Sequence, residues 1–193
     1  MVAMNTSRLL WITGPAGSGK DEACRMLKKR GFFIIDADKI GHGILNKKKT
    51  AVKKVFGPAV IKNGRVDRKA LGQVVFGSRT ALRRLDNIVH PALIKAIKSK
   101  VRASKRNKIA INAALYKQLR SAAPDAFVIS ILASRGTRVK RLLLSRNKGL
   151  KEVRGIISAQ EKDSYYKEMA DAAILNDSSL EDLEKKLAEV LCR

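Results

Sequence analysis

The chain has 193 residues, 45% of them apolar, and its 41 Lys and Arg against 17 Asp and Glu leave a formal net charge of +24. That apolar share fills the core of one ordinary domain, while no stretch approaches the roughly 20 apolar residues of a membrane-spanning helix and the start shows no basic segment leading into an apolar run, so the expectation is a soluble cytoplasmic protein without a membrane partner. Excess positive charge concentrates polyanions, but the clusters Lys28-Lys29-Arg30, Lys47-Lys48-Lys49 and 102–108 are scattered among apolar positions, which reads first as a solvated surface and second as a nucleic-acid-binding one.

Leu9 to Thr13 is a short apolar run that passes at once into a glycine-rich segment, the way a buried parallel strand enters a phosphate-binding loop. From Lys20 to Arg30 the apolar Ala23, Cys24, Met26 and Leu27 recur at helical spacing, the cations stand where the helix dipole is negative, and Gly31 is a natural stop. Cys24 and Cys192 lie far apart with no metal-ligand spacing around either, and both read as thiols. Phe32 to Ile35 is a second strand, and it delivers Asp36-Ala37-Asp38 at its carboxyl end, the edge where open α/β sheets bind ligands. Between about Ile40 and Arg106 the pattern is helical without a strand, broken at Gly57-Pro58, Asn63-Gly64, Gly77-Ser78 and His90-Pro91. Lys108 to Asn112, Ala126 to Leu132 and Ala172 to Asn176 are three further strands alternating with helices. The last helix opens with Ser179 and Asp182 at capping-box spacing.

Gly14, Gly19 and Lys20 satisfy G-x-x-x-x-G-K, with Pro15, Ala16, Gly17 and Ser18 between them. Such a loop turns backbone N–H groups around phosphate oxygens, Lys20 adds a point charge at the β and γ phosphates, and the following helix presents its positive end. Asp36 and Asp38, two apart, would share one face of a regular strand, where a carboxylate could accept a hydroxyl proton or hold magnesium water; ordinary turn chemistry is the other reading. Arg135 and then Arg138, Arg141 and Arg146, interleaved with Val139, Leu142 and Leu143, read either as a lid that closes over phosphoryl oxygens or as the solvated side of an amphipathic helix.

The order of these motifs resembles the dephospho-coenzyme A kinase family, a branch of the P-loop nucleotide kinases, from end to end. The likeness runs through the phosphate loop, I-D-A-D-K-I-G-H (35–42), F-G-P-A-V-I (56–61), G-R-V-D-R-K-A-L (64–71), V-F (75–76), H-P-A-L-I (90–94), K-R-L-L-L-S-R (140–146), I-I-S-A-Q (156–160) and A-D-A-A-I-L-N (170–176). It implies one α/β P-loop kinase domain over 1–193, a three-layer fold on a five-stranded parallel sheet, with the core at about 1–45 and 107–193, a helical acceptor-binding region at about 46–106 and a lid at about 135–165. The implied reaction moves the ATP γ-phosphoryl to the ribose 3′-hydroxyl of dephospho-coenzyme A, with Mg²⁺ as cofactor and no obligate protein partner.

By position, Asp38 would be the base, acting with Lys20 and Arg141. The loop residues Gly14 to Lys20, together with Asp21, Arg141, Arg146 and Asn176, would bind ATP. Asp36, Asp38, Arg68 and His90 would lie on the acceptor side, although His90 also fits an ordinary pre-proline residue at a helix start. The alternatives are another P-loop nucleotide or small-molecule kinase, or a catalytically impaired, basic nucleic-acid-binding homologue.

Two departures from the family pattern are chemical. The Ser or Thr that follows the loop lysine and binds magnesium is here Asp21, and the usual D-x-P-L-L-F-E reads Asn112-Ala113-Ala114-Leu115-Tyr116-Lys117-Gln118, so two acids have become amides. One reading is relocation, in which Asp21 supplies the carboxylate to Mg²⁺ and Asn112 binds the metal's water or a backbone group. The other is decay, in which Asp21 repels the triphosphate.

Overall fold

The computed structural model describes residues 8–146 and 149–192, without the side chains of Arg8, Phe76, Ser145 and Arg146; the first seven residues, on which the reading of the start rests, lie outside it. The elements run β1 (Arg8–Thr13), α1 (Lys20–Lys29), β2 (Phe33–Asp36), α2 (Ala37–Lys47), α3 (Lys49–Phe56), β3 (Ile61–Lys62), β4 (Arg65–Val66), α4 (Arg68–Phe76), α5 (Arg79–Ala103), β5 (Lys108–Asn112), α6 (Tyr116–Leu119), β6 (Phe127–Leu132), α7 (Arg135–Arg146), α8 (Leu150–Ser158), α9 (Asp163–Glu168), β7 (Ala172–Leu175) and α10 (Leu180–Leu191). No helix among the described residues is long and apolar enough to cross a membrane. The chain divides into two compact units, one of Met1–Ile35, Lys105–Lys117 and Pro124–Arg193, the other of Asp36–Ser104 and Gln118–Ala123.

The first unit is built on the five-stranded sheet, in the order β2-β5-β1-β6-β7. β1 lies at its centre, parallel to β5 on one side and β6 on the other, with Ile12 opposite Asn112 and Ile129. A parallel strand covered on both faces needs apolar residues at successive positions, and Val128 to Leu132 are indeed all buried. Trp11 is fully buried in β1, donates from Nε1 to the Ala113 carbonyl at 3.3 Å and meets the Tyr116 ring edge-on at 5.2 Å. Helices α1 and α10 turn Ala23, Leu27, Leu183 and Leu187 onto the sheet residues Ile12, Ala110, Ile129 and Ile174. Ser179 caps α10 as its spacing predicts, accepting from the Asp182 N–H at 3.2 Å.

The second unit packs α2 to α5 around Val52, Val60, Val66, Leu71 and Val75. Two expectations fail here. The stretch is not without strands, because Asn63-Gly64 closes a hairpin of β3 and β4. Both turn residues have positive φ, 51° and 70°, as the tightest two-residue hairpin turn demands, and strands of two residues each are too short to show alternation. His90-Pro91 is no break either. Pro91 sits inside the 25-residue α5, where the loss of one helical hydrogen bond is tolerated because Leu93 and Ile97, on the next turns, are buried.

Asp67 caps α4 by accepting from the Lys69 and Ala70 N–H groups at 2.9 and 3.1 Å. The Ala70 hydrogen bond leads the causes that hold its carboxyl below the ordinary value. A depressed folded pKa means that the cap stabilises above the unfolded carboxylate pKa and is lost as pH falls through the folded one. Thermal midpoints measured across acid pH should therefore fall more steeply for the wild type than for Asp67→Asn, which keeps an acceptor without a charge to titrate.

Candidate active site

Residues 14–20 link the end of β1 to α1, and the loop is gripped from behind. Arg138 Nε donates to the Ala16 carbonyl at 3.0 Å, and the Ser18 carbonyl accepts from Asn176 Nδ2 at 2.8 Å and Arg141 Nη1 at 3.4 Å. In a planar trans peptide the N–H of the next residue points opposite to the carbonyl, so drawing these two oxygens outward aims the Gly17 and Gly19 N–H groups to the other side, as an anion cradle requires. Gly17 and Gly19 have φ of 78° and 101°, and a side chain would run into the Arg138 backbone at the first and the Asn176 amide at the second. Lys20 Nζ donates to the Pro15 carbonyl at 3.2 Å.

These contacts place three residues of the expected site and lid against the loop. Asn176 is 2% exposed, and its Nδ2 is turned to the Ser18 carbonyl of the loop. Arg141 is held by the Asn176 carbonyl at 2.9 Å, and Arg138 is 4% exposed, so neither belongs to a solvated helix face. Burial lowers the Arg138 pKa, a shift that nearby Asp163 opposes. Arg146 ends α7, and its side chain lies outside the described residues.

Asp21 and Asn112, 91 positions apart, meet. Asn112 Nδ2 donates to Asp21 Oδ1 at 2.9 Å, joining the first turn of α1 to the end of β5. A carboxylate only accepts, so the amide nitrogen must face it, and this turns the Asn112 oxygen away as a second acceptor. Gln118, the other amide that replaces an acid, is exposed on α6 and is assigned to the second unit.

Asp36 and Asp38 do not share a strand face. Asp36 ends β2 and caps α2, its carboxylate accepting from the Lys39 N–H at 3.0 Å, while Asp38 stands exposed in the first helical turn. The chain changes from strand to helix between them because Asp36 satisfies one of the amides that the helix start leaves unpaired.

Within the second unit, Arg68 Nη1 lies 3.4 Å from His42 Nδ1. His42 is four residues after Asp38 on α2, so the two share a helix face. No role was predicted for His42, although it ends the I-D-A-D-K-I-G-H motif; the signal was its i, i+4 spacing from Asp38. His90, expected beside Arg68 on the acceptor side, lies half-buried on α5 with Nε2 3.3 Å from Asp86 Oδ1. Burial raises the Asp86 pKa, an effect that His90 opposes.

Residues 8–182 match the family model described as dephospho-CoA kinase. A dephospho-CoA kinase of Dehalococcoides mccartyi is 35% identical over 192 residues, covering 96% of each chain. Among solved structures, a Thermus thermophilus protein superposes with a TM-score of 0.84 at 26% identity, over 96% of this chain and 97% of its own. The dephospho-CoA kinase of Campylobacter jejuni superposes with a TM-score of 0.62 at 24% identity, over 97% of both chains, and supports the fold.

Proposed function

The chain belongs to the dephospho-CoA kinase family, and on that premise we propose how its residues divide the reaction. The protein is an ATP-dependent kinase that moves the γ-phosphoryl of ATP to the ribose 3′-hydroxyl of dephospho-CoA, and it works in the cytoplasm. The observation that carries the assignment of the ATP site is the pair of carbonyls, Ala16 and Ser18, held outward by Arg138, Arg141 and Asn176. With those oxygens fixed, the inward N–H groups and Lys20 receive the β and γ phosphates without reorganising, which is how a transfer with a loose transition state is accelerated.

Asp38 orients the acceptor hydroxyl and takes its proton as the new P–O bond forms, while Asp36 sets the start of the helix that carries it. Arg68 and His42 supply cationic and hydrogen-bonding groups for the acceptor's phosphates. The second unit is suited to such an acceptor, because it contains 18 Lys and Arg against four Asp and no Glu, a field that draws polyanions in. In this division the second unit is the acceptor-binding region, residues 135–165 form the lid with Arg146 as its arginine, and Arg141 fixes the loop that receives the phosphates.

The donors at Asp21 and Asn112 fit a magnesium ion, which takes one or two carboxylates along with phosphate oxygens and water. When bound, Mg²⁺ neutralises charge on the β and γ oxygens. Asp21 would hold it, and the Asn112 amide would fix the carboxylate's orientation and accept from one of the metal's waters.

The test is to incubate the purified protein with MgATP and dephospho-CoA and to follow products by mass spectrometry. Coenzyme A and ADP should appear in equal amounts. ADP without coenzyme A would point to another acceptor, and no turnover combined with salt-sensitive RNA binding would overturn the reading.

A further inference from the structure

Gln160 follows α8 and touches the phosphate-binding loop, 144 positions away in sequence. Its side-chain oxygen accepts from the Ala16 N–H at 3.1 Å and from Arg138 Nη2 at 2.7 Å. Both neighbours can only donate, so the oxygen must face them. Arg138 holds the arrangement, since its Nε also reaches the Ala16 carbonyl and its Nη1 lies 3.4 Å from Asp163 Oδ1.

The consequence lies one peptide back. The Ala16 N–H and the Pro15 carbonyl belong to the same planar trans unit and point in opposite directions. With the N–H turned outward to Gln160, the Pro15 oxygen is turned inward, where it accepts from Lys20 Nζ at 3.2 Å and from the Ser18 N–H at 3.3 Å. A flip of that peptide would withdraw this carbonyl from the ammonium, which rides on a flexible four-carbon stem and relies on such partners for its position.

We propose that Gln160 is a positioning residue for Lys20: by fixing the Pro15–Ala16 peptide, it places the ammonium that meets the nucleotide's outer phosphates. The proposal rests on the reading of the loop as a nucleotide site. It also makes the segment after α8 part of the loop's own structure, so whatever displaces Gln160 loosens one of the contacts that position the lysine.

Calorimetric binding of ADP and AMP tests it. Gln160→Met, which keeps the length but loses the acceptor, should weaken ADP about tenfold, roughly one hydrogen bond to a charged group, and leave AMP within about twofold. In a Lys20→Met background the same change should have no further effect on ADP. Exchange of the Ala16 amide should be fast in Gln160→Met and slow in Gln160→Glu, which retains the acceptor. Additive losses in the double variant, or equal losses for ADP and AMP, would overturn the proposal. Should Gln160→Met fail to fold, fast Ala16 exchange in Gln160→Glu with native ADP affinity would overturn it too. A wild-type protein that does not bind ADP sinks the nucleotide reading instead, which keeps the two failures apart.

Discussion

Asp38→Asn should lower kcat by about 10²–10⁴-fold while leaving the KM for ATP within about threefold. The amide keeps the shape and hydrogen-bonding reach of the carboxylate but cannot take the proton of the acceptor hydroxyl. The comparison that isolates this role is Asp36→Asn. Asp36 works as an N-cap, accepting from the Lys39 N–H, and Asn is as good a cap as Asp, so that variant should keep activity within about threefold. Steady-state assays in which ATP and dephospho-CoA are each varied at a saturating level of the other decide the matter. Equal losses for the two variants would mean that the pair acts together and that Asp38 is not the base. A loss for Asp36→Asn alone would exchange their roles.

The distinction between those two aspartates was hidden in the sequence, and the reason is local. A strand-end motif D-x-D reads as two carboxylates on one face only if the strand continues, and here the first aspartate caps a helix and ends the strand at once. Where one physical constraint dominates, the reading holds. Parallel strands covered on both faces must be apolar at consecutive positions, so β1, β5 and β6 stand out as runs, and β5 begins and ends where the pattern places it. The β3–β4 hairpin had only its Asn-Gly turn to announce it. The loop glycines were legible because phosphate cradles need them, but the residues that shape the loop from behind, Arg138, Gln160 and Asn176, come from segments more than 120 positions away. Their spacing from the loop carries no periodic signal, and only folding brings them together.

Asp21 and Asn112 are the case in which composition and geometry must be read together. In the family pattern that this chain resembles, the residue after the loop lysine is a neutral hydroxyl and the position of Asn112, at the end of β5, is an acid; here the carboxylate stands at the first place and a neutral amide at the second. Each arrangement holds one negative charge, and in this protein the two groups are hydrogen-bonded at 2.9 Å. Independent drift gives no reason for two charge-changing replacements to fall on touching residues, whereas an exchange of carboxylate and neutral partner predicts that contact. Asn112→Ala should weaken the apparent Mg²⁺ affinity in turnover by about 10–100-fold, the usual effect of removing a group that orients a metal ligand. Asp21→Ser alone should lose more, and Asp21→Ser with Asn112→Asp should recover part of the loss because the acid is restored on the strand. Mn²⁺ binding to the ADP complex, followed by electron paramagnetic resonance, supplies a readout separate from turnover and should change in the same order. Independent, additive effects would show that the two sites do not share the metal. Faster turnover in Asp21→Ser than in the wild type would favour repulsion of the triphosphate over relocation, since a carboxylate that only repels phosphate slows the reaction it borders.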